Sequence, residues 1–147
     1  MAEIDLNQNP VLSGRTDYGI GCIGAGFIMK DIHLVSYVEA GFRPVAIASR
    51  TPEHARAAAE QNGVPKVFDT WQELLDDTDV EILDIAFPPD RQLEIVRAAC
   101  EKDHIKGILA QKPLALSVRE ARECVELCEK AGIVLAVNQN MRYDQSM

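Results

Sequence analysis

The stretch Ile20-Gly21-Cys22-Ile23-Gly24-Ala25-Gly26-Phe27-Ile28 decides the fold of this chain. A short apolar run of strand length enters a glycine turn, and a helix-like stretch follows from Phe27 to Ala40. In this register Gly24 makes the tight turn and Gly26 lets backbone approach a ligand closely. A helix that starts directly after such a turn aims unpaired N–H groups and the positive end of its dipole at the space above it, which suits phosphate. Strand, turn and helix in this order therefore predict a pyrophosphate cradle and a bound dinucleotide. Gly19-Ile20-Gly21-Cys22-Ile23-Gly24 fits the three-glycine text pattern more closely. Its glycines would lie before and inside the strand, however, and no helix begins after Gly21. In the chosen register the third glycine position is Met29, so the helix must leave room for a side chain.

Outward from this turn the chain alternates regularly. Gly41 ends the first helix and Pro44 opens the strand Val45-Ala46-Ile47-Ala48, apolar enough for burial on both faces. Thr51 is placed to cap the next helix, with Pro52 in its first turn, small packing residues Ala55, Ala58 and Ala59, and Gly63 at its end. Lys66-Val67-Phe68 reads as a third strand, and Thr70 with Glu73 forms a capping box for a helix to about Leu75. Val80 to Ala86 reads as a fourth strand, stopped by Phe87-Pro88-Pro89, after which Leu93, Val96 and Ala99 share a helical stripe. Ile105 to Ala110 is the fifth strand, Ser117 and Glu120 cap a helix through Ala131, and Ile133 to Val137 is the sixth. Six strands separated by helices predict an α/β fold, a doubly wound parallel six-stranded sheet of Rossmann type. Right-handed crossovers put all the strand C-terminal ends on one edge, so functional residues should follow strands.

Those strand ends carry chemistry. The second ends in Ser49-Arg50-Thr51, without the acid that would bind an adenosine ribose and repel a 2′-phosphate. Arg50 can stack on adenine or pair with phosphate, and Ser49 and Thr51 can donate hydrogen bonds. NADP(H) is therefore expected over NAD(H), with NAD(H) still accommodated, and His54 one turn on is placed to approach adenine. The fifth strand ends in Gln111-Lys112-Pro113, which puts a lysine on the same edge as the glycine turn. An ammonium there can orient a hydroxyl or carbonyl and favour alkoxide-like charge. Asn138 and Asn140 follow the sixth strand, where an amide can reach the nicotinamide end or cap the local loop.

Composition excludes several classes. The chain has 147 residues, 47% of them hydrophobic, and a formal net charge of -8, which argues against a general nucleic-acid or anionic-membrane surface. No run is long and apolar enough to span a bilayer. Cys22, Cys100, Cys124 and Cys128 have neither disulfide nor zinc spacing, so core packing in a reducing cytoplasm is expected and no metal site is assigned. The cluster Asp76, Asp77 and Asp79 reads as a solvated turn, and His33, His54 and His104 are scattered.

From Tyr18 to Tyr143 the sequence resembles the glucose-fructose oxidoreductase, inositol dehydrogenase and MocA family. Ile23-Gly24-Ala25-Gly26-Phe27-Ile28 is similar to its cofactor turn, and Ala48-Ser49-Arg50 to the second-strand ending of NADP-preferring members. Ala86-Phe87-Pro88-Pro89 resembles its proline loop, and Gln111-Lys112-Pro113 matches its Glu-Lys-Pro motif in two of three places. The resemblance implies cofactor contacts at these segments, including Phe27, Ile28, Ala86, Phe87, Pro88 and Gln111, and a role for Lys112 at both substrate hydroxyl and cofactor. Gln92 stands where many members carry a histidine, so the resemblance implies a cofactor contact there as well, and Gln111 replaces a glutamate.

The resemblance also implies a second domain that closes the substrate pocket and supplies a catalytic histidine. The expected organisation is a polar arm at 1–17, a nucleotide-binding domain at 18–143 and the start of a connection at 144–147. The leading expectation is thus the cofactor-binding part of an NADP-dependent oxidoreductase acting on a sugar- or polyol-like substrate. Binding with little turnover, and self-association through the surface a second domain would cover, are expected of the chain alone. The alternative is a non-catalytic module that senses the dinucleotide or assembles around it.

Overall fold

The computed structural model describes residues 14–143. Six strands, β1 (Gly19–Ile23), β2 (Arg43–Ala48), β3 (Lys66–Phe68), β4 (Ile82–Ile85), β5 (Gly107–Gln111) and β6 (Val134–Asn138), form one sheet. Its order is β3-β2-β1-β4-β5-β6, and every neighbouring pair is parallel. The expected doubly wound sheet is present, and the strand order reverses between β1 and β4.

The helices α1 (Leu34–Glu39), α2 (Pro52–Asn62), α3 (Trp71–Leu75), α4 (Pro89–Ala99) and α5 (Val118–Ala131) cover the two faces. On one face Ile20, Cys22 and Ile47 pack with Met29, Leu34 and the alanines of α2. On the other, Ile23, Leu83, Ile85 and Ile108 pack with Leu74, Leu75, Val96, Cys124 and Cys128. Small α2 side chains let helix and sheet approach closely. Cys124 and Cys128 are core residues, and Cys100 Sγ lies 3.9 Å from Cys128 Sγ. Burial, then Cys100, pushes the Cys128 thiol up to about 12.

Local signals placed most boundaries. The reciprocal Thr70 and Glu73 capping box is formed, and Ser117 Oγ accepts from the Glu120 N–H. Gly132 takes φ 71, and the Ile133 N–H returns 2.9 Å to the Cys128 carbonyl, closing α5 with a Schellman turn. That turn uses Ile133, so β6 starts one residue later than the apolar run suggests. Val80 and Ile105 are likewise buried but bond into the preceding turns, at the Asp77 and Lys102 carbonyls, and β4 and β5 begin after them. Thr51 occupies the N-cap of α2 with extended backbone, yet its side chain makes no capping hydrogen bond.

The first helix departs most from expectation. Residues Ile28–His33 form a π-helical segment that passes into α1, where a plain α-helix was expected over Phe27 to Ala40. Met29, at the position that usually carries glycine, is completely buried in this segment. The wider turn accommodates its side chain between helix and sheet, and π-turns are frequent at functional sites. Residues 1–13 and 144–147, which include most of the expected arm and the whole expected connection, lie outside the described residues. No helix among the described residues is long and apolar enough to cross a membrane.

Candidate functional site

The glycine turn sits where the strand order reverses. Gly24 has φ 112, its N–H donates to the Ala48 carbonyl at 2.8 Å, and the Ala86 N–H donates to the Ile23 carbonyl at 2.8 Å. The turn is thereby tied to the ends of β2 and β4. A Cβ on Gly24 would lie 2.8 Å from the Ala86 oxygen, closer than real contacts allow, so this position requires glycine twice over. A Cβ on Gly26 would meet nothing within 4 Å. Gly26 instead borders open space, which is the room a pyrophosphate needs.

That space is a cleft of about 680 Å³ along the strand C-terminal edge. Gly24, Ala25 and Gly26 form its floor; Ser49, Arg50, Thr51 and His54 form the wall after β2; Ala86, Phe87 and Pro88 form the wall after β4. Ten of the residues singled out in the sequence thus meet in one depression. The turn after β3 contributes Asp69, Thr70, Trp71 and Gln72, and the start of α4 adds Asp90 and Arg91. Sequence reading missed these six as site residues. The rule that ligands gather after strand ends points to the β3 turn as well, and the Thr70 capping box marks its position.

Electrostatically the cleft is mixed. Asp69 is engaged by Arg56 at 3.2 Å, and Arg91 stands 4.0 Å from Glu94. The Arg50 guanidinium has no ion-pair partner among the described residues. A solvent-facing, unpaired guanidinium in a dinucleotide-sized cleft is well suited to a phosphate.

The remaining sequence-singled residues lie elsewhere. Phe27 and Ile28 are exposed beside the turn but do not line the cleft. Gln92 is completely buried, and its Nε2 donates to the carbonyls of Gln111 at 2.9 Å and Pro113 at 3.0 Å. Its geometry pins the Gln111-Lys112-Pro113 loop from beneath, which differs from the cofactor-facing place the resemblance implies. Gln92 Oε1 is buried without a partner among the described residues. Gln111 folds back, with Oε1 accepting from the Lys112 N–H at 2.9 Å. Lys112 is exposed at the same strand edge, next to a cis peptide bond to Pro113. Asn140 is exposed in the 3-10 turn Asn140–Tyr143.

Asn138 does more than end a strand. Its Nδ2 is 2.8 Å from His33 Nε2, and His33 Nδ1 is 2.7 Å from Asp84 Oδ2, which also accepts from the Tyr37 hydroxyl at 2.6 Å. Burial, then the Asp84 carboxylate, holds the Tyr37 phenol far above its usual pKa. His33 and Tyr37 were not singled out from the sequence, although a charged Asp84 inside an otherwise apolar strand was a visible signal. Among the described residues, no three His, Cys, Asp or Glu side chains come together as metal ligands.

Comparison with known proteins agrees with this arrangement. A family model described as "Oxidoreductase family, NAD-binding Rossmann fold" matches residues 18–139. The chain is 31% identical over 122 residues to a 1,5-anhydro-D-fructose reductase of Ensifer adhaerens, covering 83% of this chain and 36% of that protein. A levoglucosan dehydrogenase solved with NADH and levoglucosan superposes with a TM-score of 0.77 at 32% identity, covering 86% of this chain and 36% of that one. A 3-ketoreductase of Actinomadura kijaniata, a Y186F mutant solved with TDP-benzene and NADP, superposes with a TM-score of 0.74 at 26% identity, over 83% of this chain and 37% of that one. The chain thus spans little more than a third of the length of these relatives. With a reversal-point glycine turn, an open cleft along the strand ends and a family match over 18–139, the chain belongs to the GFO/IDH/MocA oxidoreductase family and carries its NAD-binding Rossmann domain.

Proposed function

We propose that this chain is the cofactor-binding part of a cytoplasmic, NADP-preferring oxidoreductase acting on a hydroxyl or carbonyl group of a sugar- or polyol-like substrate. The domain organisation read from the sequence, with binding at 18–143 and a substrate domain beyond it, belongs to this reading. So does self-association through surface left open on the β6 side, where Val134 is 72% exposed. Relatives that act on anhydrosugars support the substrate class.

The observation that carries the cofactor preference is the unpaired Arg50 in the cleft wall after β2, where Ser49, Arg50 and Thr51 carry no carboxylate to repel a 2′-phosphate and Asp69 of the neighbouring β3 turn is engaged by Arg56. Gly24, Ala25 and Gly26 would take the pyrophosphate, Arg50 with Ser49 and Thr51 the adenosine end, and the segment from Ala86 to Pro88 the middle of the molecule. When bound, the nicotinamide supplies the site that gives or takes a hydride. Lys112, held at the strand edge by the Gln92 brace, orients the substrate oxygen and favours negative charge on it.

The test is titration of the chain with NADPH and NADH, in wild type and Arg50→Ala. NADPH is expected to bind at least tenfold more tightly, about 1.4 kcal/mol, and the variant to lose most of that margin. Equal affinities in wild type would refute the preference, and an unchanged NADPH affinity in the variant would remove Arg50 from the site.

A further inference from the structure

Asp84 is an acid in the middle of β4, 1% exposed, in a strand buried on both faces. What it gathers links distant parts of the sheet. His33 ends the π-helical segment that follows the glycine turn, Tyr37 lies one turn further along α1, and Asn138 ends β6. The chain of contacts runs from Tyr37 to Asp84 to His33 to Asn138, and it passes over β5. In register, Asn138 pairs with Gln111, the neighbour of Lys112, so its backbone ends at the same strand edge as the lysine loop.

The hydrogens in this chain are dictated by its chemistry. An ionised carboxylate only accepts, so the His33 hydrogen must lie on Nδ1 facing Asp84. With the ring neutral, Nε2 is an acceptor and the Asn138 amide must donate its Nδ2–H to it. Asn138 Oδ1 is then turned outward as a free acceptor. With the ring protonated, Nε2 becomes a donor, the amide must turn over to accept through Oδ1, and its NH2 is turned outward instead. The other groups facing the ring do not change with it. The Tyr37 hydroxyl and the Cys22 thiol of β1 are both held protonated by burial, then by Asp84, and β5 carries no titratable side chain over Gly107–Gln111.

We propose that His33 is a positioning residue that sets the polarity of the Asn138 amide, presenting an acceptor to the carboxamide NH2 of a bound nicotinamide when the ring is neutral and a donor when it is protonated. The ligand side of this proposal rests on the dinucleotide-binding reading above; the coupling between ring and amide does not. It also gives Asp84 a purpose. A carboxylate in an apolar strand fixes one tautomer of the ring, and the tautomer fixes the amide.

Two measurements on the same chain test it. In 15N-labelled protein without ligand, the ring of His33 should show the Nδ1–H tautomer at high pH, and the Asn138 side-chain NH2 resonances should shift with the same midpoint as the ring. An Asn138 amide that ignores the ring titration overturns the proposal whatever the chain binds. The second measurement compares NADPH with its 3-acetylpyridine analogue, which keeps the carbonyl but lacks the NH2 donor. Above the ring midpoint NADPH should bind roughly 3- to 10-fold more tightly than the analogue, the worth of one hydrogen bond, and below it the ratio should fall towards one.

Asp84→Asn should abolish the preference at every pH, because an asparagine at 84 can donate to Nδ1 and so move the ring hydrogen to Nε2. His33→Gln keeps a polar partner for Asn138 but cannot titrate, so its ratio should be flat with pH; it also serves if the Asp84 variant fails to fold. A ratio in the parent that is constant with pH, while ring and amide titrate together, confines the coupling to the free protein and overturns its reach to the ligand. Failure of both dinucleotides to bind refutes the binding reading and leaves the ligand-free result to decide the coupling.

Discussion

Gly24 and Gly26 are separated by one residue, yet the structure gives them opposite tasks, and alanine at each position should separate stability from binding. At Gly24 an added Cβ meets the Ala86 oxygen at 2.8 Å and the Ala86 carbon at 3.3 Å, on backbone with φ 112. Forcing an L side chain into such a conformation costs about 1–3 kcal/mol. The backbone contact cannot be relieved by a rotamer change, and moving the turn would stretch the 2.8 Å bond from the Gly24 N–H to the Ala48 carbonyl, adding about 1 kcal/mol. Gly24→Ala should therefore lose about 2–4 kcal/mol, which at a urea m-value of about 2 kcal/mol/M lowers the midpoint by about 1–2 M. Gly26→Ala meets no atom within 4 Å and should stay within about 0.5 kcal/mol of wild type. Its methyl group, however, enters the space proposed for the pyrophosphate, and NADPH affinity should drop at least tenfold, about 1.4 kcal/mol. Urea unfolding followed by circular dichroism, and fluorescence titration of NADPH, supply the two readouts. Comparable destabilisation by both variants, or undiminished NADPH affinity in Gly26→Ala, would refute the division.

Gln92→Glu should cost about 2–3 kcal/mol, because an ionised carboxylate at this buried position cannot donate to the Gln111 and Pro113 carbonyls and both acceptors lose their partner; thermal unfolding measures it, and a change below about 0.5 kcal/mol would discard the brace. Brief alkylation of the native chain should modify Cys100 before Cys22, Cys124 or Cys128, since burial raises all four thiols but only Cys100 is partly exposed to the reagent; peptide mass mapping reads the order, and early labelling of Cys22 would contradict its burial between β1 and the helices packed on it. In a full-length enzyme of the proposed kind, Lys112→Ala should reduce turnover by about 100-fold or more while leaving NADPH affinity within about threefold, and wild-type turnover would remove the lysine from the chemistry.

Much of the site was readable because its residues obey a local rule. Gly24, Arg50 and Phe87 each follow a strand whose apolar run and stop signal are visible in the sequence, and parallel crossovers bring all such ends to one edge. Lys112 was singled out by the same rule and lies at the same strand edge, outside the lining of the cleft. Other contributors carry no local mark. Trp71 enters the cleft only because β3 is the outermost strand on the side where Arg50 lies, and a helix-opening tryptophan reads as simple packing. Gln92 was placed by resemblance at the cofactor, whereas its amide lies inside the protein, since helix phase relative to the neighbouring loop is a tertiary quantity.

The sequence by itself determined the order of elements, the glycine turn at the head of the first crossover and the absence of an acid after β2, because capping, turn chemistry and strand-length apolar runs act over a few residues. Only the tertiary structure decided that the first helix opens in π geometry around Met29, that the Gln92 amide lies buried beneath the Gln111-Lys112-Pro113 loop, and that His33, 51 residues from Asp84 and 105 from Asn138, joins them into one hydrogen-bonded chain. Those contacts depend on sheet order and helix phase, which no short window of sequence contains.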